Sequence, residues 1–302
     1  MKVPLSWLKE YVQIDLSIEE LARRLTLAGL EVEEIRYVGL PQPRGPMEGR
    51  PGGHQGPGTK VSGLAWDRDK IVVGVILEVM PHPNADRLVL CRLQDGEQEH
   101  TVLTGAPNLF HLKGKGLLDH PLKVAFAREG ARLYDGHLPG WKEMTLEPTM
   151  IRGIESSSMV CSEKELGISD EHEGIIILDE DAPVGVPLVE YMGDAVFEIT
   201  ITPNVARDAN ILGVAREVAA LSGERLSPPS EDLPGAGPPI EGRVDLEIQM
   251  PKLNPRFVLC LIEGVQVGPS PYWVQRRLRL AGMRPINNIV DSTNYAMLEI
   301  GE

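Results

Sequence analysis

At 302 residues, 42% hydrophobic and 25% charged, the chain is long enough for two or three domains with cores of their own and has an ordinary soluble composition. A net charge of -14 excludes a protein that wraps nucleic acid over its whole surface, because phosphate contacts need Lys and Arg. Cys91, Cys161 and Cys260 lie far apart with no CxxC pair, which argues against disulfides and zinc and for a reducing cytoplasm.

The opening residues carry Lys2, Lys9 and Glu10 and no sustained apolar run, so neither a signal peptide nor a membrane span is expected. Pro4 suits a first helical turn, with Trp7, Leu8 and Tyr11 on one face. Ser17 and Glu20 have capping-box spacing and open a second helix, with Leu21, Leu25 and Ala28 on one stripe and Gly29 at its end. Glu31 to Val38 follows as a strand. Pro41 to Lys60, PQPRGPMEGRPGGHQGPGTK, has too little apolar surface to order itself and reads as a flexible linker, with His54 a solvated loop residue.

From Lys70 the text KIVVGVILEVMPHPNADRLVLCRLQDG reads as strand, turn and strand. Ile71, Val73, Val75, Leu77 and Val79 alternate with Val72, Gly74, Ile76, Glu78 and Met80, the mark of a strand buried for much of its length. Pro81 and Pro83 end it and bracket His82, delivering His82, Asn84, Asp86 and Arg87 to one rim. Asp95-Gly96 is a tight turn, His100 to Leu103 and Leu122 to Ala127 are further strands, and Glu129-Gly130 closes the set. Short strands at near-regular spacing point to a small antiparallel barrel of the OB type. Lys70 to Arg132 holds eight Lys or Arg against seven acids, whereas from Val160 to Thr200 Lys164 alone faces eleven. Any RNA contact therefore belongs outside that acidic belt.

Ser156 to Ser158 and Cys161 could form a nucleophile site with His172 as the nearby base, but a structural turn is the larger expectation. Ser162 before Glu163 and Glu165 makes a helix cap, and Gly174 to Leu178 a buried strand. Phe197 to Ile201 alternates like a strand broken by Pro203-Asn204, and Leu212 to Leu221 is a helix. Ser227 to Pro239 is a second Pro/Gly-rich connection. Val244 to Gln249 and Phe257 to Val267 are expected strands, and Pro271 to Ala281 an amphipathic helix with Trp273, Val274 and Leu278 on its apolar face. Arg276, Arg277, Arg279 and Arg284 form the strongest local basic cluster, either a solvated face or a phosphate contact.

Four segments in order resemble the β subunit of bacterial phenylalanyl-tRNA synthetases. They are VPLSWLKEYV with LTLAGLEVEEI; His82-Pro-Asn-Ala-Asp-Arg-Leu88 with Cys91 and Gly105-Ala-Pro-Asn108; Ile151-Arg-Gly-Ile-Glu-Ser156 with Cys161-Ser-Glu163; and Thr202-Pro-Asn204, Ala215 to Ala219 and Arg284 to Tyr295. The fold class this implies is α+β and multidomain. A small α/β unit (1–40 and 153–195) carries an inserted tRNA-binding OB-fold β-barrel (61–152) through the 41–60 linker, and 196–302 opens a mixed α/β editing (B3/B4-like) domain.

The resemblance implies a subunit of phenylalanine–tRNA ligase, cytoplasmic and bound to no membrane. Its partners would be an α subunit in an α2β2 heterotetramer and tRNA(Phe). ATP and Mg2+ would serve the holoenzyme, with none bound and no metal site in this stretch. The α subunit would carry aminoacylation, while the β subunit contacts tRNA and hydrolyses mischarged tyrosyl-tRNA. Such editing answers a physical need, since an apolar pocket rejects an isostere with one more hydroxyl only modestly.

Carried over to this sequence, the editing-pocket candidates are Asn294 first, then Asn287, Asn288, Asp291 and Thr293, or else these residues build a polar turn. The tRNA-contact candidates are Arg87, Lys113, Lys115 and Arg128, with His82 and Asn84 fixing the turn. The family's Pro-Asn-Arg-x-Asp appears as Pro203-Asn-Val-Ala-Arg-Asp208, which leaves the roles of Arg207 and Asp208 open. The chain stops before most of the editing pocket and is expected not to edit by itself. A free-standing OB-type binding module without catalysis is the competing reading, and a Cys161 or Ser156 to Ser158 hydrolase a remote third.

Overall fold

The computed structural model describes residues 1–43, 58–230, 235 and 237–301. The chain begins with β1 (Lys2–Pro4), α1 (Leu5–Leu8), α2 (Ile18–Leu27), β2 (Glu31–Gly39) and β3 (Lys60–Ala65). Then come β4 (Ile71–Pro81), β5 (Val89–Gln94), β6 (Glu99–Thr104), β7 (Leu117–Ala127), β8 (Arg132–Tyr134), β9 (Glu143–Thr145), β10 (Thr149–Ile151), β11 (Ile154–Ser156) and β12 (Met159–Val160). Last are α3 (Leu188–Met192), β13 (Asp194–Thr200), α4 (Ile211–Ser222), α5 (Tyr272–Leu280) and α6 (Asn288–Ile300). Most of the expected linker, His54 included, lies outside the described residues.

The first unit is a four-stranded sheet ordered β1-β13-β2-β3, with helices over one face. The Ser17 hydroxyl accepts the Glu20 N–H at 3.2 Å and starts α2. The Leu30 N–H returns to the Leu25 carbonyl at 2.9 Å and closes it at Gly29. The buried stripe of α2 is Leu21, Ala22 and Leu25, whereas Ala28 is its exposed cap. Trp7, Leu8, Leu21, Leu25, Ile35 and Phe197 form the core together with Val214, Ala215 and Val218 of α4. β13 and α4 therefore complete this unit, and the expected domain boundary at 195/196 falls inside a central strand. Likewise β3, expected in the barrel, runs parallel to β2.

The barrel sheet is ordered β12-β7-β4-β5-β6, and its edge strands β12 and β6 lie against one another, which nearly closes it. β12, beyond the expected limit at 152, supplies one of those edges. β4 carries a bulge between Ile76 and Glu78 toward both neighbours. The extra residue reverses the alternation, so Val72, Ile76 and Val79 all point into the barrel with Cys91, Leu93 and Phe126. Ile71 and Val73 face outward into a second core. The expected single stripe from Ile71 to Val79 is thus split at Leu77, and the strand coils as a closing barrel requires.

That second core joins Ile71, Val73, Ala125 and Ala127 to Trp66, Leu166, Leu188 and Leu280. Backbone bonds reinforce it, from Val73 N–H to Val186 O at 3.0 Å and from Gly185 N–H to Val73 O at 2.8 Å. At the same joint a Cβ on Gly96 would stand 2.8 Å from Gly185 Cα, so the β5–β6 turn docks there only as glycine.

Three local expectations change. Ser162 and Glu165 do form the reciprocal cap, Ser162 N–H to Glu165 Oε2 at 2.6 Å, but only turns follow, not a helix. Gly174 to Leu178 is extended and partly buried, yet it pairs through the single bridge Val124↔Ile177. Residues 244–249 and 257–267 form no strand. Their apolar side chains stand exposed, Ile262 at 77% and Val267 at 71%, because a strand needs a pairing partner and none faces them among the described residues.

Candidate nucleic-acid interface

Three segments meet at one end of the barrel. In the turn after β4, His82 is 5% exposed and its Nδ1 accepts the Asn84 N–H at 3.0 Å, which fixes the turn from within. The loop before β7 is drawn alongside, with Gly114 N–H bonded to Val79 O at 2.8 Å and Lys113 Nζ bonded to Asp86 O at 2.9 Å. The tip of the β10–β11 hairpin is third, with Asn84 Nδ2 donating to Arg152 O at 3.4 Å.

Arg87 and Lys115 are exposed and make no side-chain hydrogen bond or ion pair among the described residues. Lys113 spends one donor on a carbonyl and keeps two. These three of the four expected contact residues therefore gather on one rim. Arg152, not among the expected contacts, joins them. The signal was in the sequence as Arg-Gly between two isoleucines that pair across a two-residue turn. Both turn residues take positive φ, Arg152 +50° and Gly153 +90°, a geometry that favours Asn, Asp or Gly and costs arginine on the order of 1 kcal/mol.

Arg128, the fourth expected contact, is placed differently. Its Nε and Nη2 reach Asp95 Oδ2 at 2.9 and 2.8 Å, and Nη1 holds Asp69 O at 3.0 Å. Asp95 is fully buried and also accepts Glu97 N–H, Gln98 N–H and His100 Nε2. Burial pushes its carboxyl up, but the Gln98 and Glu97 amides, His100 and Arg128 outweigh that and hold it well below the usual carboxylate range. Arg128 is a structural counter-ion rather than a free cation.

The basic cluster on α5 is neither solvated nor open to phosphate. Arg276 donates to Met192 O at 2.5 Å and lies 3.5 Å from Asp194. Arg277 holds Glu10 and the Tyr295 hydroxyl, with Cζ 5.6 Å from the Trp7 ring centroid and 5.1 Å from that of Trp273. Arg279 pairs with Glu163 at 2.7 Å. The buried apolar residues of α5 are Leu278 and Leu280, while Trp273 is 48% exposed. Arg284 lines an open cleft of about 1010 Å³ on the polar face of the first sheet.

The expected editing-pocket residues sit at the start of α6, and most serve its own architecture. Asn287 caps the helix, accepting Ile289 and Val290 N–H at 3.1 and 3.0 Å. Asn288 ties Gln266 O and Gly268 N–H. Buried Asp291 accepts Ser270 Oγ at 2.6 Å and Ile286 N–H at 2.7 Å. Thr293 turns back to Ile289 O at 3.4 Å. Asn294, half-buried, keeps its amide without a hydrogen bond among the described residues. Arg207 and Asp208 lie in a 3-10 turn, Pro203–Asp208, where Arg207 pairs with Glu217 at 3.0 Å.

The nucleophile reading finds no support. Cys161 is fully buried, and burial pushes its thiol far up; Cys91 is pushed up to about 12 by the same cause. Ser156 Oγ donates to Ser158 O, and His172 lines the cleft beside Arg284. Among the described residues, no group of three or more His, Cys, Asp and Glu could hold a metal ion, and no helix is long and apolar enough to cross a membrane.

Family models agree with this layout. Residues 71–124 match a putative tRNA binding domain, and residues 253–302 match the B3/4 domain. Curated relatives extend the likeness to the entire chain. The phenylalanine–tRNA ligase beta subunit of Dehalococcoides mccartyi is 45% identical over 305 residues, covering 100% of this chain and 33% of the relative. That of Geobacter sulfurreducens is 41% identical over 303 residues with the same coverage. The chain is a homologue of these β subunits. It spans about one third of their length. Among solved structures, a MetRS related protein from Pyrococcus horikoshii aligns with 39% of this chain and 86% of its own at 21% identity, with a TM-score of 0.25.

Proposed function

We propose that this homologue of phenylalanine–tRNA ligase β subunits is the tRNA-contacting part of such a subunit, binding tRNA(Phe) through the rim of its OB-like barrel. The observation that carries the reading is the convergence of Arg87, Lys113 and Lys115 within the tRNA-binding match, free of strong internal pairing while Arg128 and the α5 arginines are neutralised. In the assembled ligase, an α2β2 heterotetramer in the cytoplasm, the α subunit attaches phenylalanine using ATP and Mg2+. Among the described residues no group of three or more His, Cys, Asp and Glu could hold the Mg2+. The full-length β subunit hydrolyses mischarged tyrosyl-tRNA. On this chain the α6 residues are occupied by helix capping and loop anchoring, so Asn294 remains as the pocket candidate and deacylation by the chain alone is not expected.

The test is binding of a tRNA(Phe) transcript across a salt series. Affinity should fall steeply with salt, and replacing Arg87, Lys113 and Lys115 by alanine should weaken binding about 30-fold and lower the salt slope by about two to three. Salt-independent binding, or a triple variant that binds like wild type, overturns the reading. Robust deacylation of tyrosyl-tRNA by this chain would show that its hydrolytic site lies elsewhere. The alternative, a free-standing binding module, is disfavoured by the match at 253–302 and by the docking of α5 onto the first unit through three arginines.

A further inference from the structure

We infer that Arg152 is an RNA-backbone contact carried on a separate arm, and that Asn84 is the latch that positions it; this rests on the tRNA-binding reading of the barrel. The β10–β11 hairpin forms a two-stranded sheet of its own and is largely exposed from Thr149 to Glu155. Its tip is tied to the barrel through Asn84 Nδ2 and Arg152 O. Asn84 is itself held by the buried His82 ring. Orientation therefore passes from the barrel interior, through His82 and Asn84, to the backbone of Arg152.

The choice of residue at the tip points to a use for its side chain. Arg152 is the one non-glycine residue with positive φ among those described. A two-residue turn of this type is better served by Asn or Gly. The guanidinium makes no hydrogen bond or ion pair among the described residues, so nothing in the packing offsets the backbone strain. Strain held at an exposed, unpaired cation is the pattern expected of a binding residue. The tip faces the turn that carries Arg87, with Lys113 bonded one residue away at Asp86. The same segments carry two acids, Asp86 and Glu155, against four cations. A phosphodiester backbone lying between arm and barrel would meet those cations from both sides, and a planar guanidinium suits bidentate contact with phosphate.

The experiment uses the 302-residue chain and a tRNA(Phe) transcript, with affinity measured over a salt series and thermal stability in parallel. Arg152→Asn relieves the turn, so stability should hold or rise, while affinity falls about fivefold and the salt slope drops by about one. Arg152→Lys should recover most of the affinity. Asn84→Ala should weaken binding in the wild type but add little in the Arg152→Asn background, because the latch acts through the arginine. Wild-type affinity and slope in Arg152→Asn would overturn the contact, and full additivity with Asn84→Ala would overturn the latch. If Arg152→Asn binds like wild type while the Arg87, Lys113 and Lys115 variant is weakened, this inference alone fails. If neither variant is weakened, the barrel reading falls with it.

Discussion

On α5, Arg276, Arg277 and Arg279 stand within one helical turn of each other, whereas the cations of the barrel rim, Arg87, Lys113, Lys115 and Arg152, come from three separated segments. In sequence the first group is the denser positive patch. In the fold it is the neutral one, because Glu10, Glu163 and Asp194 arrive from elsewhere, Glu10 from 267 residues away. Side chains of that trio are 13%, 14% and 18% exposed, while Arg87, Lys115 and Arg152 are exposed and unpaired. Linear charge density thus says little about a site; what matters is whether acids elsewhere in the chain converge on it. Arg128 teaches the same lesson inside the barrel, where Asp95 claims it.

Paired cations should prove indispensable for folding and free ones dispensable. The largest expected effect is at Asp95. Asp95→Ala leaves Arg128 and two backbone amides without their acceptor, and urea unfolding should show a loss of about 3–5 kcal/mol. Because the folded-state pKa of Asp95 is depressed, its contribution is fully present above the unfolded value near 4. That contribution is lost as pH falls through the folded value, so wild-type stability should drop below about pH 4 and Asp95→Asn should flatten that limb.

Next is Arg279→Ala, which strands buried Glu163 and should cost about 3 kcal/mol at pH 7.5. Burial already pushes that carboxyl up, with Arg279 and the Ser169 hydroxyl pulling it back. The cost of a carboxyl with a raised folded-state pKa grows as pH climbs above the unfolded value. The deficit of Arg279→Ala should therefore shrink as pH falls and Glu163 takes up a proton, and an unchanging deficit would count against the pairing.

RNA binding should separate the two groups of cations. Arg276→Gln should lower stability and leave tRNA affinity unchanged, whereas Lys115→Ala should weaken binding about fivefold and alter stability by less than about 0.5 kcal/mol. The smallest effect is expected for Arg277→Lys, which keeps the charge but loses the guanidinium plane between Trp7 and Trp273 and should cost about 1 kcal/mol.

Local signals were legible wherever the chain decides its own conformation. Ser17 caps α2, Pro81 marks the end of β4, and Asp95-Gly96 turns β5 back toward β6. What could not be read depended on distant partners. The bulge at Leu77 is imposed by both neighbours of β4, and two-fold alternation cannot reveal it. β13 looked like the start of a new domain because nothing near it shows that β1 and β2 will receive it on either side. Residues 257–267 have the composition of a strand but, among the described residues, no neighbour to pair with. At the rim, the turn chemistry of Asn84 was visible, but its hold on Arg152, 68 residues on, was not.

The position of β13 also sets a timetable. The amino group of Met1 bonds to Ile199 O, 198 residues downstream, and β13 fills the gap between β1 and β2. During synthesis at about 5–20 residues per second, the first strands emerge about 10–40 s before their central partner. The barrel, whose last strand β12 ends at Val160, is finished before then. A ribosome-bound chain arrested once β12 has emerged should already hold a protected barrel while Trp7 and Phe126 report opposite states, the first accessible and the second enclosed.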